Sequence, residues 1–249
     1  MCRRWGVIAL VMAAGWAQSA EKLVSTGSEL EDALGSLTAG DENVLSDGDW
    51  NDLGIRFRGE GTKEKPIKLR SQTIGGAGLT GESWIRMYGR HLIVEGLVFE
   101  RGSSDGADVI QFREDSDEPA ALCRVTRCSI IDFNPPEGDK TSYRWVRMDG
   151  FSNRLDHCHF EGKSNYGATV VIDLRDRPNH HRIDHNHFGP RPPLNRNGGE
   201  TIRIGDSRTS LRRSGSILED NLFEQCDGEI EIISVKSCDK TRFGNAMAR

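Results

Sequence analysis

Glu229 and Glu231 stand two residues apart in the phrase Asp227-Gly228-Glu229-Ile230-Glu231-Ile232-Ile233-Ser234-Val235-Lys236-Ser237, and residues at i and i+2 of an extended chain leave it on the same side. Two carboxylates presented together, with an amide oxygen nearby, suit a hard cation such as Ca²⁺. Asn197, in the phrase Asn197-Gly198-Gly199-Glu200-Thr201-Ile202-Arg203-Ile204-Gly205, is the natural third ligand. Taken alone an ExE strand is usually the wet side of a sheet, so the reading depends on its neighbours. Lys236 follows the carboxylates closely, and a lysine set between a divalent cation and a guanidinium is disfavoured as the ammonium, which suits it to abstracting a proton. A uronic acid carries such a proton alpha to its carboxylate. Neutralising that carboxylate stabilises an enolate-like intermediate, and loss of the 4-linked sugar completes a β-elimination.

These residues need a scaffold, and the chain supplies one as a repeat. A short phrase, apolar-x-x-small/polar-x-apolar, recurs at Ile93 to Val98, Val125 to Ile130, Leu155 to Phe160, Ile183 to Phe188 and Leu218 to Phe223. Its fourth position is Gly96, Cys128, Cys158, Asn186 and Asn221, spaced by 32, 30, 28 and 35 residues. Such a period with loops of varying length is the mark of a solenoid. The phrases are short, alternate with period two and are separated by Gly, Asn, Asp and Pro, which makes them strands. The fold expected is therefore all-β: a single-stranded, right-handed parallel β-helix. Asn186 and Asn221, at the bends, are expected to satisfy backbone groups inside the turns.

A second strand series places Val146, Leu174, Ile202 and Ile230 at a constant 28 residues. If these face the core, Arg147, Arg175, Arg203 and Glu231 face out, and coils about 4.8 Å apart would stack three arginines in a column ending at a carboxylate. A polyanion could lie along it. Ser28 to Leu34 reads as a short amphipathic helix with Ser28 as its cap and Glu31 three residues on, closing the N-terminal end of the solenoid.

Residues 1 to 20 follow the export pattern, with Arg3 and Arg4, an apolar run from Trp5 to Trp16 and small residues at Ala17-Gln18-Ser19-Ala20. That predicts a secreted or periplasmic protein whose β-helix domain is residues 21–249, with no membrane span once the signal is removed, the apolar run being too short for one. With 36% hydrophobic and 29% charged residues, the chain is globular in composition. A net charge of -5 gives no support to a nucleic-acid partner, so any polyanion must meet a local cluster. Five cysteines outside the leader, irregularly spaced and without a CxxC pair, argue against a disulfide framework or a zinc site. His157, His159, His185 and His187, on alternating outward positions of two phrases, together with His180 and His181, read as coil-to-coil hydrogen-bonding groups rather than catalysts.

The phrases Gly61-Thr62-Lys63-Glu64-Lys65-Pro66-Ile67, Phe160-Glu161-Gly162-Lys163, Asn197 to Gly205, Gly228 to Ser234 and Lys236-Ser237, in that order, resemble polysaccharide lyase family 6, the group of alginate lyases and chondroitinase B. The resemblance implies a parallel β-helix, Ca²⁺-assisted β-elimination, Asn197, Glu229 and Glu231 as metal ligands and Lys236 as the general base. It adds Arg203 to substrate binding, where Arg147, Arg175 and Lys163 are also expected, and makes an anionic polysaccharide the partner, alginate before dermatan sulfate or chondroitin. One departure matters. The family carries a second catalytic arginine in an RHG phrase about one coil beyond the lysine, whereas only Arg242 and Arg249 follow Lys236 here, neither before His-Gly. The expectation is a chain short of the family's C-terminal coils, impaired as a lyase or binding without turnover, with an open last coil through which copies could associate. A glycoside hydrolase using Asp173, Asp176 and Glu200 would leave Lys236 unexplained.

Overall fold

The structure, a computed structural model, describes residues 21–238 and 242–248. The predicted export segment lies outside the described residues. Among them, every pairing between strands is parallel, and each coil contributes to three rows. One row runs through Leu92–Glu95, Arg124–Thr126, Arg154–Asp156 and Arg182–Asp184. A second runs through Leu97–Gly102, Ser129–Ile131, His159–Glu161 and His187–Phe188, and both converge on the long strand Ile217–Glu224, which pairs onward with Arg242–Ala248. The third runs through Trp84–Arg90, Ile110–Gln111, Val146–Met148, Val170–Ile172, Ile202–Ile204 and Ile233–Val235. This is a parallel β-helix, as the repeat predicts. No helix among the described residues is long and apolar enough to cross a membrane.

Alternation drives the fold: in each short strand of the first row the central apolar residue is buried and the arginine before it half-exposed, while the Thr or Asp after it is enclosed by its polar partners. Val125, Leu155, Ile183 and Leu218 stack in register in the core. Beside them Phe160, Phe188 and Phe223 lie ring on ring at centroid separations of 5.2 and 4.9 Å. At the bend the asparagine ladder is realised. Asn186 donates to Leu155 O at 3.0 Å and to Asn221 Oδ1 at 2.9 Å, and Asn221 donates to Ile183 O at 2.9 Å and Asn245 Oδ1 at 2.8 Å. Each amide thus satisfies buried carbonyls that the turn leaves without a strand partner.

Two sequence expectations shift by a residue or two. In the first repeat copy Val94, not Ile93, pairs with Val125, so Gly96 sits opposite Arg127 at the turn rather than at the ladder position. Gly96, Arg127, His157 and His185 have φ between 53° and 75°, a left-handed bend that glycine meets without strain. The cap helix spans Gly27–Leu34 and begins at Thr26, whose hydroxyl accepts from Glu29 N at 3.2 Å while the Glu29 carboxylate accepts from Ser25 N at 2.7 Å. Thr26 is extended and Ser28 is already inside the first turn, so the reciprocal cap forms two residues earlier than Ser28-Glu31. The five cysteines of the described region are free thiols, four of them buried.

The first row carries a charge ladder on its outer side. Arg124 bonds Asp156 at 2.7 and 2.5 Å, and Arg154 bonds Asp184 at 2.8 and 2.6 Å. The Asp184 carboxylate is fully enclosed. Burial alone would raise its pKa, but the hydrogen bonds from Arg154 and His185 win and hold it at about 2, against an ordinary 3.8. A depressed carboxylate stabilises the fold above its unfolded value and ceases to as pH falls through its folded value, so Asp184 contributes on the order of 2 kcal/mol that is lost between about pH 4 and pH 2. Thermal melts of wild type and Asp184→Asn across that range are expected to converge as the pH drops. A gap in melting temperature that stays constant down to pH 2 would contradict this assignment.

Candidate functional site

The third row presents the outward side chains on which the sequence reading depends, and their order is not the predicted one. In register along it lie Arg86, Gln111, Arg147, Val171, Arg203 and Ser234. Arg147 and Arg203 share the column with Val171 between them, Arg175 lies in the turn past Ile172, and Ser234 rather than Glu231 is opposite Arg203. The constant spacing of 28 was a coincidence of loop lengths: 24 residues separate Val146 from Val170, 32 separate Val170 from Ile202 and 31 separate Ile202 from Ile233. The last strand starts only at Ile233, so Ile230 is fully exposed instead of in the core and Glu229 and Glu231 sit in the turn before the strand.

Most of the arginine charge is already spoken for. Arg147 bonds Asp108 at 2.5 Å and Asp173 at 2.6 Å; Arg175 grips Asp149 at 2.6 and 2.9 Å and donates to Ser116 O at 2.6 Å. Arg113 closes the network, reaching Asp149 at 3.1 Å and Asp173 at 3.2 Å. Burial would raise the Asp149 carboxyl, yet hydrogen bonding and charge from Arg175 hold it below the usual range. With Arg144 also within 3.8 Å of Asp108, four arginines meet three aspartates, and Arg147 and Arg175 are each paired in a lattice that braces the coils instead of standing free along the predicted track. The aspartates were missed because each lies a full turn or more from its partner in sequence.

Arg203 differs. It makes no ion pair among the described residues, and its Nε is buried without a hydrogen-bond partner. A guanidinium without a carboxylate partner is free to pair with an anion. Next to it in the chain, the turn from Pro193 to Gly199 and the turn from Asp227 to Ile230 enclose a cleft of about 590 Å³, lined by Arg196, Asn197, Asp227 and Glu229 among others. Glycine backbones build this junction: a Cβ on Gly199 would meet Gly228 O at 2.3 Å, and one on Gly228 would meet Gly199 O at 2.4 Å. The close approach lets the Glu229 Oε2 accept from both Gly198 N (2.5 Å) and Gly199 N (2.7 Å). One carboxylate oxygen is thereby fixed. Its Oε1, the Asn197 amide and the exposed Glu231 carboxylate take no hydrogen bond among the described residues; their oxygens are of the kind a hard cation takes, but no cluster of three or more acidic, histidine or cysteine side chains is assembled around one point among the described residues. Tyr166 faces the same junction, with Arg196 stacked on its ring at 4.6 Å and Gly198 so close that a Cβ would strike the ring. Sequence reasoning had no signal for Tyr166 beyond its type.

Lys236 directly follows the last strand, two residues after Ser234, and its backbone N–H donates to Ile204 O at 2.8 Å. Its position is thus set by the coil that carries Arg203. Lys163 is a correction. It is enclosed, its Nζ held by Asn165 O at 3.0 Å and Asn165 Oδ1 at 2.5 Å, so its ammonium does not reach an outer groove. Burial, with the charge of Arg191 adding to it, pushes that ammonium well below lysine's ordinary value. Arg191 itself is buried, donates to Glu200 O at 2.8 Å and Gly167 O at 2.9 Å, and is lowered by burial to about 10. Together Lys163 and Arg191 fasten the loops beneath the cleft. Asp173 is committed to arginines, Asp176 to Arg212 at 3.0 Å, and Glu200 is buried, so the three carboxylates of a hydrolase do not assemble.

Known proteins agree with this architecture. No curated protein matches the chain. Among solved structures, the polysaccharide lyase family 6 alginate lyase AlyGC is 46% identical with a TM-score of 0.84, over 88% of this chain and 30% of that one. A mannuronic acid specific family 6 lyase from human gut microbiota is 37% identical with a TM-score of 0.83, over 91% of this chain and 52% of that one. A family 6 polysaccharide lyase from Pseudopedobacter saltans is 33% identical with a TM-score of 0.80, again over 91% of this chain and 52% of that one. The chain therefore spans from about a third to about half the length of these relatives. The chondroitinase B family profile matches residues 24–248. With that match running through every coil described above, the chain belongs to the chondroitinase B family, polysaccharide lyase family 6.

Proposed function

We propose that the cleft binds a uronate-containing polymer of the alginate type and cleaves it by β-elimination, with Lys236 as the base. The observation that carries this is the arginine left without a partner: Arg203 keeps its charge where Arg147 and Arg175 have lost theirs to aspartates, and it does so one coil from Lys236. Arg203 holds the sugar carboxylate. Lys236 takes the proton from the carbon bearing that carboxylate; the electrons of the broken C–H bond form the new double bond, and the bond to the 4-linked oxygen breaks. Asn197, Glu229 and Glu231 would hold Ca²⁺, which when bound neutralises the carboxylate and lowers the cost of the enolate-like intermediate. The departing oxygen takes up a proton as it leaves, which solvent can supply.

Arg203→Ala is expected to lower kcat/KM on alginate by roughly 10²-fold, the cost of a buried charge-assisted contact of about 2–3 kcal/mol. Mass spectrometry of the products tests the reaction type. Elimination gives fragments lighter by one water than hydrolysis does, and hydrolytic products alone would overturn the proposal.

A further inference from the structure

On the second row, away from the residues assigned to elimination, two histidines meet nitrogen to nitrogen. His159 and His187 are in-register partners on adjacent coils, with ring centroids 4.9 Å apart and Nδ1 facing Nδ1 at 3.0 Å. Each opposite nitrogen faces a carboxylate: His159 Nε2 lies 3.0 Å from Glu161 Oε2, and His187 Nε2 lies 3.1 Å from Glu224 Oε2. Phe188 pairs with both Phe160 and Phe223, so Gly189 falls between Glu161 and Glu224 in the neighbouring column, and no side chain separates the two carboxylates.

Donor counting decides what this arrangement is for. An ionised carboxylate only accepts, so each imidazole carries its hydrogen on Nε2. The two Nδ1 atoms then meet across 3.0 Å, a contact that a positive centre between them, a shared proton or a metal ion, makes favourable. We propose that His159 and His187 bind a divalent transition metal of the imidazole-preferring class, Cu²⁺ or Ni²⁺ before Zn²⁺, bridging successive coils. Bonds of about 2.0–2.1 Å from both nitrogens, 3.0 Å apart, would subtend roughly a right angle at the ion. That is the angle between adjacent ligands of a tetragonal centre, with water in the remaining positions. Glu161 and Glu224 orient the rings, as outer-shell carboxylates do for metal-bound histidines. The neighbouring pair shows the contrast. His157 and His185 stack flat at 5.0 Å, and each turns its Nδ1 to the aspartate beside it, at 2.6 and 2.8 Å, so no two nitrogens converge.

Cu²⁺ titrated into the untagged full chain with Ca²⁺ present, followed by electron paramagnetic resonance, tests the site. One copper per chain with hyperfine splitting from two equatorial nitrogens is expected. His187→Gln should bind at least about 30-fold more weakly, and Glu224→Gln, which keeps both ligands, about 10- to 100-fold more weakly. Should His187→Gln fail to fold, the wild-type spectrum and Glu224→Gln still decide. Splitting from fewer than two nitrogens in wild type, copper displaced by Ca²⁺ at equal concentration, or unchanged affinity in Glu224→Gln would each overturn the proposal.

Discussion

Lys236→Ala is expected to lower the rate of elimination by about 10²- to 10⁴-fold, the usual worth of a positioned base, while the protein stays folded. The separation of effects follows from how the residue is held. Its place is fixed by the backbone bond from Lys236 N to Ile204 O, which alanine keeps, and by the strand Ile233–Val235 that precedes it. The side chain is half-exposed and makes no hydrogen bond or ion pair among the described residues, so truncation removes an amine and little packing. Melting temperature within a degree or two of wild type is the accompanying expectation. Exogenous small amines should restore part of the lost rate, because the cleft left by the truncation can admit them. A variant that retains most of its activity would exclude Lys236 as the base, and one that unfolds would make it a structural residue.

The second large effect is on stability. Phe188 is buried at the centre of the aromatic stack, with Phe160 on one side and Phe223 on the other. Phe188→Ala should cost about 3–5 kcal/mol, because the rings above and below are held by their own coils and cannot close the gap. In a solenoid each coil contacts only its neighbours, so the loss falls on the interface between coils, and denaturant unfolding should shift to a lower midpoint. A shift equivalent to less than about 1 kcal/mol would mean that the site collapses around the smaller side chain and that the stack is not a continuous core.

The fold was legible because its signal is local. Val125, Leu155, Ile183 and Leu218 alternate with polar neighbours, and the structure stacks all four in register. The asparagines at the bend could be read for the same reason. The outer face was less legible, since side-by-side placement there depends on loop lengths that alternation does not report. Arg147 and Arg203 fell in one column, but an intervening coil of different length put Val171 between them and moved Arg175 away. Charge compensation was invisible for a related reason: Asp108 is 39 residues from Arg147 and Asp149 is 26 from Arg175, distances over which a sequence shows no pairing. Glu229 was recognised as an oxygen donor, yet its docking onto the Gly198 and Gly199 amides required knowing that the two turns touch. Lys163 was placed in the substrate groove by a matching phrase, and burial beside Asn165 and Tyr143 puts it beneath the loops instead.

The central claim is elimination by Lys236 with Arg203 holding the sugar carboxylate, and the direct measurement is the ultraviolet absorbance of the unsaturated uronate when the purified chain meets alginate or polymannuronate, with Ca²⁺ and with chelator. A steady rise that is lost in chelator is the predicted result. No rise from folded protein on either polymer would contradict the claim.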